Sequence, residues 1–180
     1  RDLGGDAIDQ VKADADDEVL SANKYFRVMK LALDTKIPRL TEHILYHVQK
    51  LVAHGLMDGN HPDDCLYTDE ERPKSNGTLP RKLIDAIVDE VCKCTAERDQ
   101  QVQLQVVRAL LTIVATSTTE VHERSLLKVM SSLYYIHIAS TNPVNQNTAK
   151  ASLIQMISIV FKKMEQHAGE FAESIKKLNP

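Results

Sequence analysis

His43 and His47 stand four residues apart, the spacing that sets two imidazoles on one face of a helix. A helical zinc protease would need Glu directly after the first His, where this chain has Ile44. No nearby Cys or carboxylate completes a four-ligand set. Cys92 and Cys94 are two apart, so on a helix they diverge by roughly 200° and cannot readily chelate one ion. They read as a buried thiol and a thiol near a helix end. Asp58, Asp63, Asp64, Asp69, Glu70 and Glu71 crowd one segment without the ordered spacing of a calcium loop, and read as charge that keeps a loop in water. Ser, His and Asp occur without a nucleophile elbow, and there is no Gly-rich phosphate loop. Lys162 and Lys163 read as a solvated helix face. Residue chemistry therefore points to no cofactor, no metal and no catalytic centre.

One row of side chains suits recognition instead. His43, Tyr46, His47, Lys50 and His54 recur at three- and four-residue steps, to one side of an apolar line formed by Leu40, Ile44, Val48 and Leu51. An aromatic, three imidazoles and a lysine on one ridge have the composition of a protein-binding surface. The plainer alternative is a polar helix face with incidental histidines.

The elements that must carry this row are all helical. Residues 1–17 are Asp-rich with Gly4–Gly5 and are expected to be a flexible, acidic lead-in. From 18 to 180 a single helical-repeat domain is expected. Ala22, Tyr25, Phe26, Met29 and Leu33 mark a first helix ending near Asp34–Thr35. Pro38 opens a second, which Gly55 closes with Leu56 as the apolar contact beyond it. Residues 57–77, rich in Gly, Pro, Asn and acids, are expected to be a long mobile loop. Thr78 and Pro80 suit the start of a third helix carrying Leu83, Ile84, Ile87, Val88 and Val91. A fourth is expected over 99–115. A fifth starts between Val121 and Ser125 and is expected to bury Leu126, Met130, Leu133, Tyr134 and Ile138. Asn142 caps a sixth with Pro143 at its first position. That helix looks like a core strut, burying Leu153, Met156, Ile157, Val160, Phe161 and Met164, with Ile154 and Ile159 widening the stripe. Phe171, Ile175 and Leu178 suggest a short seventh helix.

Helices three and five are expected to begin about 40 residues apart, and so are one and three once the loop is discounted, a spacing within the HEAT and armadillo range. The expected fold is all-α: an armadillo/HEAT-like α-solenoid of about three helix pairs, with a closed six-helix bundle as the alternative. Hydrophobic residues make up 43% of the chain and aromatics 4%, which favours aliphatic helix packing over a β-sandwich. The net charge of -3 contains an acidic start: residues 1–18 hold seven acids and two bases. No basic stripe supports nucleic-acid binding, and no apolar run approaches a membrane span. The odd count of three cysteines fits a reducing compartment. A first residue other than Met suggests a piece of a longer protein.

Five segments taken in order resemble a known family. They are LALDTKIPRLTEHILYHVQKLVAHG, LPRKLIDAIVDEVCKC, VQLQVVRALLTIVAT, VHERSLLKVMSSLYYIHIAS and NPVNQNTAKASLIQMISIVFKKME. Together, over about residues 24–167, they are similar to the N-terminal DCB (dimerisation and cyclophilin-binding) domain of the large Arf guanine-nucleotide exchange factors, in the brefeldin-sensitive late-Golgi branch. The most specific parts are Gln49-Lys50-Leu51 running into Ala53-His54-Gly55, and Asn145-Gln146 with Thr148-Ala149-Lys150-Ala151. The loop at 57–77 looks longer than usual for the family. The resemblance implies an armadillo-like domain without catalysis of its own, in a cytoplasmic protein recruited peripherally to the trans-Golgi. It implies as partners an Arf-like small GTPase in its GTP form, a second copy or the adjacent helical domain of the same protein, and cyclophilin. The alternative role is a purely intramolecular scaffold that packs on the following helical domain and regulates exchange. Lys50 falls in the matching motif and on the ridge; Asn145 and Gln146 match as well, although polar groups at a helix start can equally serve the 141–146 connection.

Overall fold

The computed structural model describes residues 25–61, 82–121 and 123–178. The expected lead-in at 1–17, loop residues 62–77, and Thr78 and Pro80 lie outside them. The described residues form six α-helices: α1 (Phe26–Asp34), α2 (Pro38–Ala53), α3 (Leu83–Lys93), α4 (Gln100–Ala115), α5 (Glu123–Ala139) and α6 (Pro143–Leu178), with a 3-10 turn at Cys94–Ala96 after α3. Each odd helix packs on the even helix that follows it. The odd helices also stack on one another, α1 on α3 and α3 on α5, and so do the even ones, α2 on α4 and α4 on α6. This two-row stacking of hairpins is the α-solenoid. The starts of α3 and α5, Leu83 and Glu123, are 40 residues apart, and those of α4 and α6, Gln100 and Pro143, are 43 apart.

Local chemistry sets most boundaries. Asp99 Oδ1 accepts the Gln101 and Val102 amides at 2.8 and 3.1 Å, an N-cap. Asn142 Oδ1 does the same for Val144 at 2.8 Å, and Pro143 follows at a position whose N–H would have no helical partner. Gly55 takes φ +70 and lets the Leu56 amide return to the Leu51 carbonyl at 2.9 Å. The apolar residue buried past this cap is Met57; Leu56, expected there, is exposed. Residues 57–61 do not hang free. Gly59 (φ +66) lies so close to α3 that a Cβ would sit 2.7 Å from Ile84, and it accepts the Ile84 amide. The His61 carbonyl accepts the Leu83 amide at 2.8 Å. This backbone pairing, rather than a side-chain cap, starts α3 at Leu83.

The core is aliphatic and runs between the rows, with Phe26, Leu45, Ile84, Ile87, Leu110, Ile113, Leu133 and Met156 fully enclosed. Two expectations fail here, for one reason. On α5 the buried residues are Ser125, Val129, Leu133 and Ile136, while Tyr134 and Ile138 are exposed. On α6 Met156 is buried and Leu153 and Val160 pack against the core, but Ile154, Ile157, Phe161 and Met164 face outward, Phe161 at 61% exposure. The last pair has the preceding pair on one side and, among the described residues, no further pair on the other. The separate seventh helix is also absent, since α6 runs unbroken to Leu178.

Lys163 is likewise not the solvated lysine expected. Its Nζ reaches across to the end of α4 and donates to the Val114 and Thr116 carbonyls at 2.9 and 3.0 Å. It thereby occupies backbone acceptors that a helix C-terminus leaves open. Burial pulls its ammonium below the usual lysine range.

At the end of α3, Glu90 is almost fully enclosed, and one of its oxygens receives both Lys93 at 2.8 Å and Lys30 of α1 at 3.3 Å. Cys92 and Cys94 are both buried beside it, and the Cys94 thiol lies 3.4 Å from the Glu90 carbonyl as donor. Burial raises the Cys92 thiol, and burial with nearby Glu97 and Glu90 pushes Cys94 up to about 12.

Two outcomes are expected. Lys163→Met should cost about 1–2 kcal/mol, from two lost charge-assisted bonds, while Phe161→Ala should stay within about 0.5; urea unfolding of both variants measures this, and the reverse ranking would restore α6 as a core strut. Second, an unfolded thiol ionises near 9 and the folded Cys94 at about 12, so the folded state binds more protons in that interval. Stability should be intact below pH 9 and fall as pH rises through it. Cys94→Ala should flatten that decline in urea titrations at stepped pH. Iodoacetamide at pH 8 should leave both thiols largely unmodified in the native chain.

Candidate protein-interaction site

Ile37 is extended, Pro38 fixes the first turn, and the Thr41 amide returns to the Ile37 carbonyl at 2.9 Å to start α2. Its buried stripe is Thr41, Leu45, Val48 and Val52, with Leu40, Ile44 and Leu51 half-buried. The stripe is thus turned by about one residue from the expected apolar line. On one flank Gln49 accepts a hydrogen bond from Gln105 of α4 at 2.8 Å, fixing how the two helices sit against each other.

At 100° per residue, His43, Tyr46, His47, Lys50 and His54 fall almost opposite the buried stripe. All five are exposed, Tyr46 at 45%. They also touch one another. The Lys50 ammonium stands 5.5 Å from the centre of the Tyr46 ring, within cation–π range. The Tyr46 and His47 rings meet edge to face, 5.6 Å apart at 71°. Lys50 lies in the last turn of α2, where a cation suits the helix dipole. Arg39, which the sequence reading left out, is exposed on the same side and extends the row by a turn. Glu42, half-buried, borders this face one turn from Arg39 and from Tyr46. The result is a rigid ridge with an aromatic contact surface flanked by donors and cations, able to receive a partner that offers apolar groups beside carboxylates.

Asn145 and Gln146 are not part of it. Asn145 is 1% exposed, and its amide donates to the Gln100 carbonyl at 2.8 Å. The Gln146 side-chain amide donates to the Ser140 carbonyl at 2.7 Å, and the Gln146 backbone carbonyl lies 3.0 Å from His137 Nδ1. Asn142 and Ser140 bond Gln100 and Gln103 in turn. These groups lock the α5–α6 corner to the start of α4, the structural service that polar groups at this helix start were expected to be able to give.

A second surface was not anticipated. Ser125 of α5 bonds Asp85 at 2.6 Å, and Lys128 pairs with Asp89, which marks the side of α5 that faces α3. Leu127, Tyr134 and Ile138 lie on the opposite side and are exposed. On α6, Lys163 and Asn145 mark the side facing α4, and Ile154, Ile157 and Phe161 point away from it. The open end of the solenoid is therefore apolar. The signal was in the sequence as an over-wide apolar stripe on the sixth helix.

Among the described residues no group of three or more His, Cys, Asp and Glu is placed to hold a metal ion, and no helix is long and apolar enough to cross a membrane. Compared with known proteins, 160 residues are 38% identical to brefeldin A-inhibited guanine nucleotide-exchange protein 1 of Homo sapiens, covering 88% of this chain and 8% of that protein. Similarity to brefeldin A-inhibited guanine nucleotide-exchange protein 2 of Arabidopsis thaliana is 36% over 134 residues, 74% of this chain and 7% of that one. The ADP-ribosylation factor guanine nucleotide-exchange factor SEC7 of Saccharomyces cerevisiae is 31% identical over 151 residues, 78% of this chain and 8% of the relative. The chain thus spans less than a tenth of each of these relatives. Residues 4–168 match the model of the Mon2/Sec7/BIG1-like dimerisation and cyclophilin-binding domain, and the chain belongs to that DCB family.

Proposed function

We propose that this chain is a non-catalytic regulatory and interaction domain of a large Arf guanine-nucleotide exchange factor. In this reading it brings the cytoplasmic protein to the trans-Golgi by binding an Arf-like small GTPase in its GTP form, in support of vesicle-mediated transport. The exchange activity that names the relatives is assigned to the part of them that the chain does not span. The observation that carries the reading is the α2 ridge, with Lys50 over Tyr46 and three histidines around them. A recruiter must sense the nucleotide state, and a small GTPase changes chiefly in its switch loops. An aromatic beside a cation on a stiff helix complements loops that present apolar residues flanked by acids.

The apolar end face favours a second use of the same domain. Leu127, Tyr134, Ile138, Ile154 and Phe161 are turned the way a further helix pair would stack. Such a face serves self-association, which the family's description includes along with cyclophilin binding. It would equally serve packing on an adjacent helical domain of the same protein, the purely intramolecular role.

Lys50→Glu should weaken binding of the GTP-loaded GTPase tenfold or more, given coupling energies of about 1.5 kcal/mol upwards for close charge pairs at interfaces. Tyr46→Ala should weaken it as well, both with unchanged circular dichroism. Wild-type affinity in a folded Lys50→Glu chain would remove the ridge as the site. Light scattering addresses the end face. The wild-type chain is expected to be dimeric and Ile154→Asp/Phe161→Asp monomeric, while a dimer that survives both substitutions would place self-association elsewhere.

A further inference from the structure

We propose that α6 is a pairing helix: its outward seam, Ile154, Ile157, Phe161, Met164 and Ala168, packs antiparallel against the same seam of a second copy, with the two-fold axis beside Phe161 and Met164. The proposal rests on the reading of the open end as a self-association surface, and gives that surface an orientation and a contact set. The seam residues follow one another at steps of three, four, three and four, the repeat of a helix that pairs along its length. In the sequence the same steps continue at Phe171, Ile175 and Leu178. All five seam residues are exposed, Phe161 and Met164 at 61% and 60%. At 100° per residue they lie opposite the side that Asn145 and Lys163 turn toward α4. Beyond Lys163 the rod leaves its own array: among the described residues, a Cβ added at Gly169 would meet nothing within 4 Å.

Side-chain volume and charge both select the second copy and its direction. Antiparallel pairing about this axis sets Phe161 against the second copy's Met164, a favourable sulfur–aromatic contact, and small Ala168 against the second copy's Ile157. Parallel pairing would set Phe161 against Phe161 and Ala168 against Ala168, overfilling one layer and leaving a void in another. Lys162 and Glu165 are exposed and flank the seam three residues apart. In the antiparallel pair each comes level with the opposite charge of the other copy, twice over, because the interface is self-complementary. In the parallel pair like charges are level. Helix α6 has 36 residues, and the axis falls close to its midpoint. Two rods then overlap over about 48 Å, and the half of each beyond Lys163 runs over the open end of the other array. The large side chains exposed there, Leu127, Tyr134, Ile154, Ile157, Phe161 and Met164, offer roughly 100 Å² each. That is most of the about 800 Å² per copy that a stable interface needs.

The test uses the full 180-residue chain. A spin label is placed at Asn147→Cys or at Gln155→Cys, both exposed positions on α6, in a Cys65→Ser background that leaves only the buried Cys92 and Cys94 besides. Pulsed electron paramagnetic resonance then reads the distance between copies. Antiparallel rods are expected to give about 45–55 Å at 147 and at least about 15 Å less at 155, from the rise per residue on either side of the axis. A distance below about 30 Å at 147 means parallel rods and overturns the proposal. Sedimentation equilibrium measures strength. Met164→Asp/Ala168→Asp should raise the dimer Kd about tenfold or more, a loss of about 1.4 kcal/mol, with unchanged circular dichroism. An unchanged Kd in that chain, while Ile154→Asp/Phe161→Asp gives monomers, overturns the pairing of the rods and leaves the end face as the self-association surface. A wild-type chain that stays monomeric at about 100 μM, where a Kd of about 1 μM leaves mostly dimer, overturns both.

Discussion

A two-helix hairpin cannot bury both its apolar faces by itself. In a stacked array each hairpin is covered by the one before and the one after, and stability is shared between neighbours rather than held in one closed core. The packing of the described helices follows from that arrangement. Aliphatic side chains provide the attraction between layers, and it is non-directional. Register comes from polar ties laid across each junction. In the odd row these are Lys30 to Glu90, then Asp85 to Ser125 and Asp89 to Lys128. In the even row they are Gln49 to Gln105, then Asn145 and Lys163 to the two ends of α4. Helix α4 is thus held at both termini by the helix stacked on it. A sliding error of one turn would leave buried amides and carbonyls without partners, a cost of about 1–3 kcal/mol for each.

The periodicity of the sequence was enough for the row order, the pair spacing and several exact caps. Asn142–Pro143 and Gly55 do what their residue types suggest, because capping depends on atoms within a few residues. The phase of the buried stripes was harder to read. Tyr134, Ile138 and Phe161 carry the same apolar signature as Val129, Ile136 and Met156, and hydropathy cannot say whether a neighbour covers them. Lys163 misled in the opposite direction. It is polar yet tied down, by carbonyls nearly fifty residues away in the chain that no local pattern connects to it. The ridge on α2 was legible because it needed only one helix and a polar repeat to define it.

The ridge and the end face have different physical characters and point in different directions. The first is polar, aromatic and rigid, with a cation set over a ring, and such surfaces gain specificity from geometry and charge. The second is broad and aliphatic, and such surfaces gain affinity from area. They lie on different pairs of the array, α2 for one and α5–α6 for the other.

Helix α6 has 36 residues, whereas α4 and α5 beside it have 16 and 17. At 1.5 Å per residue it is about 54 Å long, and its neighbours are about 24–26 Å. Lys163 grips the end of α4 slightly past the midpoint of this rod. The remaining length is a lever whose fulcrum is the third hairpin. A tilt of about 5° at Lys163 would move the end of the helix by about 2 Å over the roughly 22 Å that lie beyond it, so adjustments in packing between layers are carried along the rod to a part of it that touches neither neighbouring helix end.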